Sequence, residues 1–139
     1  MNRALVLDAN ILIRACLGQR VLAVMLEATE SCELFVPPSC IVEAQKHLPK
    51  IAIARALSMM EFMTQLDSVL TFLNPVENSL IEPERRLATR RLRDADDWPV
   101  LAASFALKAP IWTEDQDFFG TGAATLTTRN VASWLSEFY

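Results

Sequence analysis

Glycine is scarce in this chain. It occurs three times in 139 residues, as Gly18, Gly120 and Gly122. Neither G-x-G-x-x-G nor G-x-x-x-x-G-K-[ST] can be found, which disfavours a dinucleotide fold and a P-loop. The G-x-S-x-G elbow of a serine hydrolase is missing too. Histidine occurs once, at His47, so a histidine-rich zinc site is excluded. The three cysteines, Cys16, Cys32 and Cys40, are odd in number and fit no paired C-x-x-C spacing. That argues against a disulfide framework and against a thiolate metal site, and makes a reducing, cytoplasmic location the expectation. No run approaches the ~20 apolar residues of a membrane span. Arg3 is followed by only four apolar residues before Asp8 interrupts, which is not a signal-peptide pattern. No membrane partner is expected. Positive charge is also in deficit: the net charge is −4. A nucleic-acid partner would normally favour a basic surface, so such a role must rest on a local basic patch or on metal ions.

What is present is apolar. Hydrophobic residues make up 52% of the chain and charged residues 22%, without a long like-charge tract, a repeat or an internal linker. One domain over residues 1–139, with a real core, is expected. Residues 3–7 read as a short buried strand ending at Asp8. Asn10 is placed to cap a helix from Ile11, which Gly18 breaks. Val21, Leu22, Met25 and Leu26 share a helical face. Glu33–Val36 reads as a second strand, and Ser39 as the cap of a helix running to about Leu48, where Pro49 disfavours continuation. The longest helix is expected over residues 53–71, with Met59, Phe62, Met63, Leu66 and Leu70 toward the core. A third strand lies near Asn74-Pro75. Residues 84–91 read as a basic helix, 96–107 as an apolar helix with an acidic start, and 109–112 and 124–127 as further strands. Thr128 is placed to cap a last helix carrying Val131, Trp134, Leu135 and Phe138. Strands alternating with helices predict an α/β fold on a mostly parallel sheet.

Carboxylates punctuate this pattern. Asp8 follows the first strand, and Asp115 and Asp117 follow a later one. Glu43 and Asp97 fall in the first turns of two helices. In an open parallel sheet these positions share the edge where ligands bind. Each has an ordinary use as a turn residue, a helix cap or a dipole partner. Together they would repel one another and raise some pKa values, unless hard cations such as Mg²⁺ or Mn²⁺ bind them through oxygen. Two such ions ~3.5–4 Å apart can clamp a phosphodiester and activate water. A haloacid-dehalogenase-type site would need Asp at position 10, where this chain has Asn10.

Four segments then resemble, in order, the motifs of the PIN domain family, and most closely those of its toxin-type (VapC-like) ribonucleases. They are VLDANILIRA around Asp8, PPSCIVEAQKHL around Glu43, DADDWPVLAAS around Asp97, and IWTEDQDFFG with Thr113, Asp115, Asp117 and Phe118. The resemblance covers nearly the whole chain. It implies a three-layer fold: a mostly parallel sheet of four or five strands between helices. It also implies Mg²⁺- or Mn²⁺-dependent hydrolysis of RNA, leaving a 5′-phosphate. By the same resemblance Asp8, Glu43, Asp97 and Asp115 would be the catalytic and metal-binding quartet, with Asp117 a further ligand. Asn10 and Thr113 would orient carboxylates by hydrogen bonds. Asp94 and Asp96 are alternatives for the role given to Asp97. Trp98-Pro99 departs from the small residues usual at that point, and the indole would narrow the groove or stack on a base.

Arg85, Arg86, Arg90, Arg91 and Arg93 are half of the ten arginines. They suggest a phosphate-gripping RNA rim, against the simpler reading of a solvated helix face. The resemblance further implies a homodimer and an antitoxin protein that blocks the groove. The alternative function is a non-catalytic PIN-like module that binds RNA or protein.

Overall fold

The strand-forming run Leu5–Leu7 is solvent-free on both faces, as the central strand of a parallel sheet must be. In a computed structural model, which describes residues 3–137, this run belongs to β1 (Arg3–Leu7). The chain continues through α1 (Ala9–Leu17), α2 (Gln19–Ala28), β2 (Cys32–Val36), α3 (Pro38–Ala54), α4 (Met59–Leu70) and β3 (Asn74–Pro75). There follow α5 (Asn78–Ile81), α6 (Arg85–Arg91), α7 (Trp98–Leu107), β4 (Ile111–Trp112), β5 (Thr125–Leu126) and α8 (Thr128–Ser136). The five strands are all parallel in the order β3-β2-β1-β4-β5. Val6 pairs with Phe35 on one side and Ile111 on the other.

The chain moves outward from β1 to β3, then crosses back to β4. Right-handed crossovers in opposite directions put their helices on opposite faces. The packing divides accordingly: α1, α2, α3 and α4 contact one another, while α5 and α6 pack on α7, which lies against β1 and β4. This is a three-layer α/β domain. The reversal falls between β1 and β4, so a crevice opens beyond their carboxyl ends. Helix α7 is apolar all round because Pro99 to Ser104 are all buried, the pattern of an internal helix.

Several local expectations differ from what the chain does. Asp8, not Asn10, caps α1: its Oδ1 accepts the Ile11 N–H at 3.0 Å. The helix starts as soon as the strand ends, and Asn10 is the exposed residue of an otherwise buried first turn. Pro37 and Pro38 start α3, Pro38 being well suited to a first helical position, and Ser39 is already helical. The helix runs straight through Pro49 to Ala54, because buried Ala44, Leu48 and Ala52 pack it against α1 and α4. α3, with 17 residues, is therefore the longest helix among those described, and α4 has 12. The expected single helix over 53–71 is broken at Ala56, which takes a left-handed φ of 54°, and restarts at the Ser58 cap. Met59 and Met60 are exposed, while Leu66 and Val69 are buried. Leu26 is likewise exposed. Thr127, not Thr128, caps α8, and Phe138 lies outside the described residues. No single helix among the described residues is long and apolar enough to cross a membrane.

Candidate functional site

Asp8 stands at the switch point, immediately after β1, and only 6% of its surface is exposed. Both its oxygens are held. Oδ1 accepts the Ile11 N–H, and Oδ2 accepts the Thr113 hydroxyl. Thr113 is fixed in turn because its own N–H donates to the Leu126 carbonyl at 3.0 Å, extending the β4–β5 ladder. The Thr113 Oγ1 also accepts the Asp115 N–H at 2.9 Å, and the Asp115 Oδ1 accepts the Asp117 N–H at 2.9 Å. One chain of hydrogen bonds thus ties the ends of β1 and β4 together and sets the loop that carries Asp115 and Asp117.

Glu43 lies in the second turn of α3 rather than the first, being the sixth residue of that helix. Its side chain is half-exposed, and His47 stands one turn on at 3.9 Å. Asp97 ends a short 3₁₀ turn, Ala95–Asp97, that leads into α7. Of the three aspartates there, Asp94 and Asp96 are exposed, and the Asp94 carboxylate is used to accept the Asp96 N–H at 3.0 Å. Asp97 is half-buried and feels its neighbours. Burial pushes its carboxyl up to about 7, aided by the negative charges of Asp94, Asp115, Glu43 and Asp8. Asp8 is pushed up to about 6, chiefly by burial. The Thr113 and Ile11 hydrogen bonds oppose that rise, and the charges of Asp115 and Glu43 add to it. Asp8, Glu43, Asp97 and Asp115 therefore face one electrostatic centre. Among the described residues no lysine or arginine forms an ion pair with any of them.

An all-oxygen, uncompensated donor set of this kind suits a hard divalent cation. The side chains are not drawn into one coordination shell: among the described residues no three His, Cys, Asp or Glu groups are arranged to hold a metal ion as they stand.

Other sequence-selected residues fall apart from this centre. Asn10 forms no hydrogen bond to a carboxylate among the described residues. It lines a cavity of about 410 Å³ together with Glu43 and His47. Arg91 donates to the Thr121 carbonyl at 2.9 Å and lies over the Phe105 ring, which ties α6 to the loop before β5. Arg85 pairs with Glu82 at 3.3 Å and lies over the Trp98 indole at 4.6 Å, so one face of that ring is already covered. Arg86, Arg90 and Arg93 are exposed.

Two residues near the centre went unremarked in the sequence. Cys40 is buried and sits one helical turn before Glu43. Burial, with the charges of Asp8, Glu43 and Asp97, pushes its thiol far up, so it remains a neutral wall. The spacing of Cys40 and Glu43 was the available signal. Glu114, between Thr113 and Asp115, accepts the Thr128 N–H at 2.7 Å and so fastens the start of α8 to the same loop.

A parallel five-stranded sheet with acidic residues beyond its switch point defines a PIN-like fold. The family described as PIN domain matches residues 6–136, and the chain belongs to it. Among solved structures the fold is similar to PAE2754 from Pyrobaculum aerophilum, with 16% identity and a TM-score of 0.77 over 97% of this chain and 90% of that one. It is also similar to VapBC2 from Rickettsia felis, solved bound to a DNA fragment from their promoter, with 13% identity and a TM-score of 0.68 over 89% and 98% of the two chains. FitAcB from Neisseria gonorrhoeae aligns with 19% identity and a TM-score of 0.57 over 90% and 98%. No curated protein is significantly similar in sequence.

Proposed function

We propose that this chain is a divalent-metal-dependent endoribonuclease, the toxin of a toxin–antitoxin pair. The observation that carries the reading is the buried Asp8 carboxylate, fixed by two hydrogen bonds at the end of the central strand, with Glu43, Asp97 and Asp115 coupled around it. These four residues would hold Mg²⁺ or Mn²⁺, with Asp117 beside them on the same loop. When bound, the cation supplies Lewis-acid polarisation of a phosphodiester and neutralises its charge. The chain's own residues do the positioning. Thr113 keeps both the Asp8 carboxylate and the Asp115 backbone in place, and buried Cys40 with the apolar ends of β1 and β4 excludes water from below. Half-exposed Glu43 and Asp97 form the open rim through which a substrate phosphate enters. Membership of the family and the toxin–antitoxin complexes among its structural neighbours support the toxin reading. That reading brings with it an antitoxin partner, a homodimeric assembly and a cytoplasmic place of action.

Titration calorimetry with Mn²⁺ tests the metal centre directly. Wild type is expected to bind, and Asp8→Asn to lose at least about tenfold in affinity. Equal binding by both would remove Asp8 from the centre.

A further inference from the structure

A concave seam lies between α1 and α3, reaching the acidic residue Glu43. Its inner part, about 410 Å³, is bounded by Asn10 and Ile13 on one side and by Glu43, His47, Lys50 and Ile51 on the other. Its outer part, about 700 Å³, shares Asn10, Ile13 and Ile51 with the inner part and adds Arg14, Arg20 and Arg55. These shared residues place the two parts side by side along the α1–α3 seam. Its walls follow helical spacing. Residues 10, 13, 14 and 17 share a face of α1, and residues 43, 47, 50, 51 and 54 share a face of α3. From Glu43 to the end of α3 at Ala54 the helix rises ~16 Å, the length of a few nucleotides.

Charge along this groove is one-sided. Arg14, Arg20, Lys50 and Arg55 are exposed, and among the described residues none of them forms an ion pair. Glu43, at the acidic centre, is the one carboxylate lining either part. Four of the chain's 13 cationic residues thus gather on one channel in a protein of net charge −4. The floor is aliphatic, from Ile13, Leu17, Val21 and Ile51, and His47 is the one ring on the walls.

We infer that this groove is the track for single-stranded RNA, leading its phosphates over Arg14, Arg20, Lys50 and Arg55 to the centre at Glu43. The inference rests on the ribonuclease reading and extends it. Four free cations in a concave channel match a run of phosphates. The aliphatic part of the lining offers no hydrogen bonds to base edges and Asn10 and Gln19 are the only amides on the walls, so binding is governed mainly by phosphate contacts and is steep in salt. His47, beside Glu43, is the one side chain placed to stack on a base. The α6 arginines serve this role less well, since Arg85 and Arg91 are already committed to Glu82, Trp98, Thr121 and Phe105.

The test is fluorescence anisotropy of a labelled, mixed-sequence oligoribonucleotide of about 12 nucleotides, in EDTA so that no cleavage occurs, across a salt series. The variants are Arg14→Ala/Lys50→Ala/Arg55→Ala, Lys50→Ala alone as a milder change, and Arg86→Ala/Arg90→Ala for comparison. The triple variant is expected to lose at least about tenfold in affinity and to flatten the log–log salt slope by about 2, since each phosphate contact on a single strand contributes about 0.7. Lys50→Ala should flatten the slope by about 0.7, and the α6 pair should change affinity less than about twofold. An unchanged slope in the triple variant overturns the inference. So does a larger loss in the α6 pair, or a groove that binds polyglutamate in preference to RNA. Hydrolysis of bis(p-nitrophenyl) phosphate with Mn²⁺ separates the two readings. Triple variants that lose RNA but keep this hydrolysis support both. A wild type that binds RNA through the groove yet hydrolyses neither substrate leaves the track standing and removes the nuclease.

Discussion

Asp8 is held by two hydrogen bonds, and yet burial lifts its carboxyl from 3.8 to about 6. The native state therefore binds more protons than the unfolded chain between those values, and stability falls as pH rises through that window. At pH 7 the full shift costs on the order of 3 kcal/mol, and half-buried Asp97, lifted to about 7, acts in the same direction. In EDTA the thermal midpoint attributable to these groups should fall as pH rises from about 4 to 7. Asp8→Asn should flatten that fall and raise the midpoint near pH 7, and Mn²⁺ should stabilise wild type more at high pH than at low. A wild-type midpoint that rises across the window in the Asp8-dependent part would contradict the assigned strain. Thr113 gives a second prediction at this scale. Thr113→Val leaves Asp8 Oδ2 and the Asp115 N–H each without a partner, costing about 1–3 kcal/mol and about 10- to 100-fold in Mn²⁺ affinity, and Thr113→Ser should restore most of both. Calorimetry and thermal melts read the two losses separately. Thr113 was marked only through the resemblance to the family motif, whereas the placement of Asp8 directly after a strand and of Asp115 in the loop after another was legible in the sequence. The orientation of Glu43 and the choice among Asp94, Asp96 and Asp97 were not, because those depend on helix phase and on which carboxylate a local turn consumes.

At the scale of elements, α3 is where local propensity and packing disagree most. Pro49 cannot donate to the Gln45 carbonyl, a fault worth about 3 kcal/mol in a helix interior. The helix persists because Ala44, Leu48 and Ala52 are buried against its neighbours, a long-range gain that no reading of local signals contains. Pro49→Ala should restore the missing bond and raise the thermal midpoint by several degrees, about 1–2 kcal/mol. A lower midpoint would mean that α1 and α4 are shaped to a proline-bent α3. The α4 boundary shows the same limit in reverse. Met59, Phe62 and Met63 carry helical spacing, but the left-handed Ala56 and the Ser58 cap begin the helix later, so that Met59 and Met60 fall in its exposed first turn. Alternation of strands and helices, by contrast, was enough to predict the parallel sheet, while its strand order is seen only in the structure. The short strands β3, β4 and β5 were visible through their flanking Pro, Asp and Thr residues rather than through length.

For the whole molecule, the sheet reverses between β1 and β4, the charges of Asp8, Glu43, Asp97 and Asp115 act on one another beyond it, and the α1–α3 seam that carries Arg14, Arg20, Lys50 and Arg55 is lined at one end by Glu43. The acidic net charge and the basic groove are then compatible: repulsion keeps RNA off most of the surface, and the groove admits it at one place. The arginines between residues 85 and 93 are adjacent in sequence but differently used, Arg85 and Arg91 being engaged with Glu82, Trp98, Thr121 and Phe105, whereas Arg14, Lys50 and Arg55 are distant in sequence and line one seam. Asp8, Glu43, Asp97 and Asp115 are proposed to form a metal-dependent RNA-cleaving centre. Cleavage of a 5′-labelled RNA by wild type and by Asp8→Asn, each with EDTA, Mg²⁺ and Mn²⁺, tests it most directly. The account predicts cations restoring cleavage to wild type alone, with Asp8→Asn folded and at least about 10²-fold slower. Equal cleavage by the two proteins, or cleavage by wild type that persists unchanged in EDTA, would contradict it.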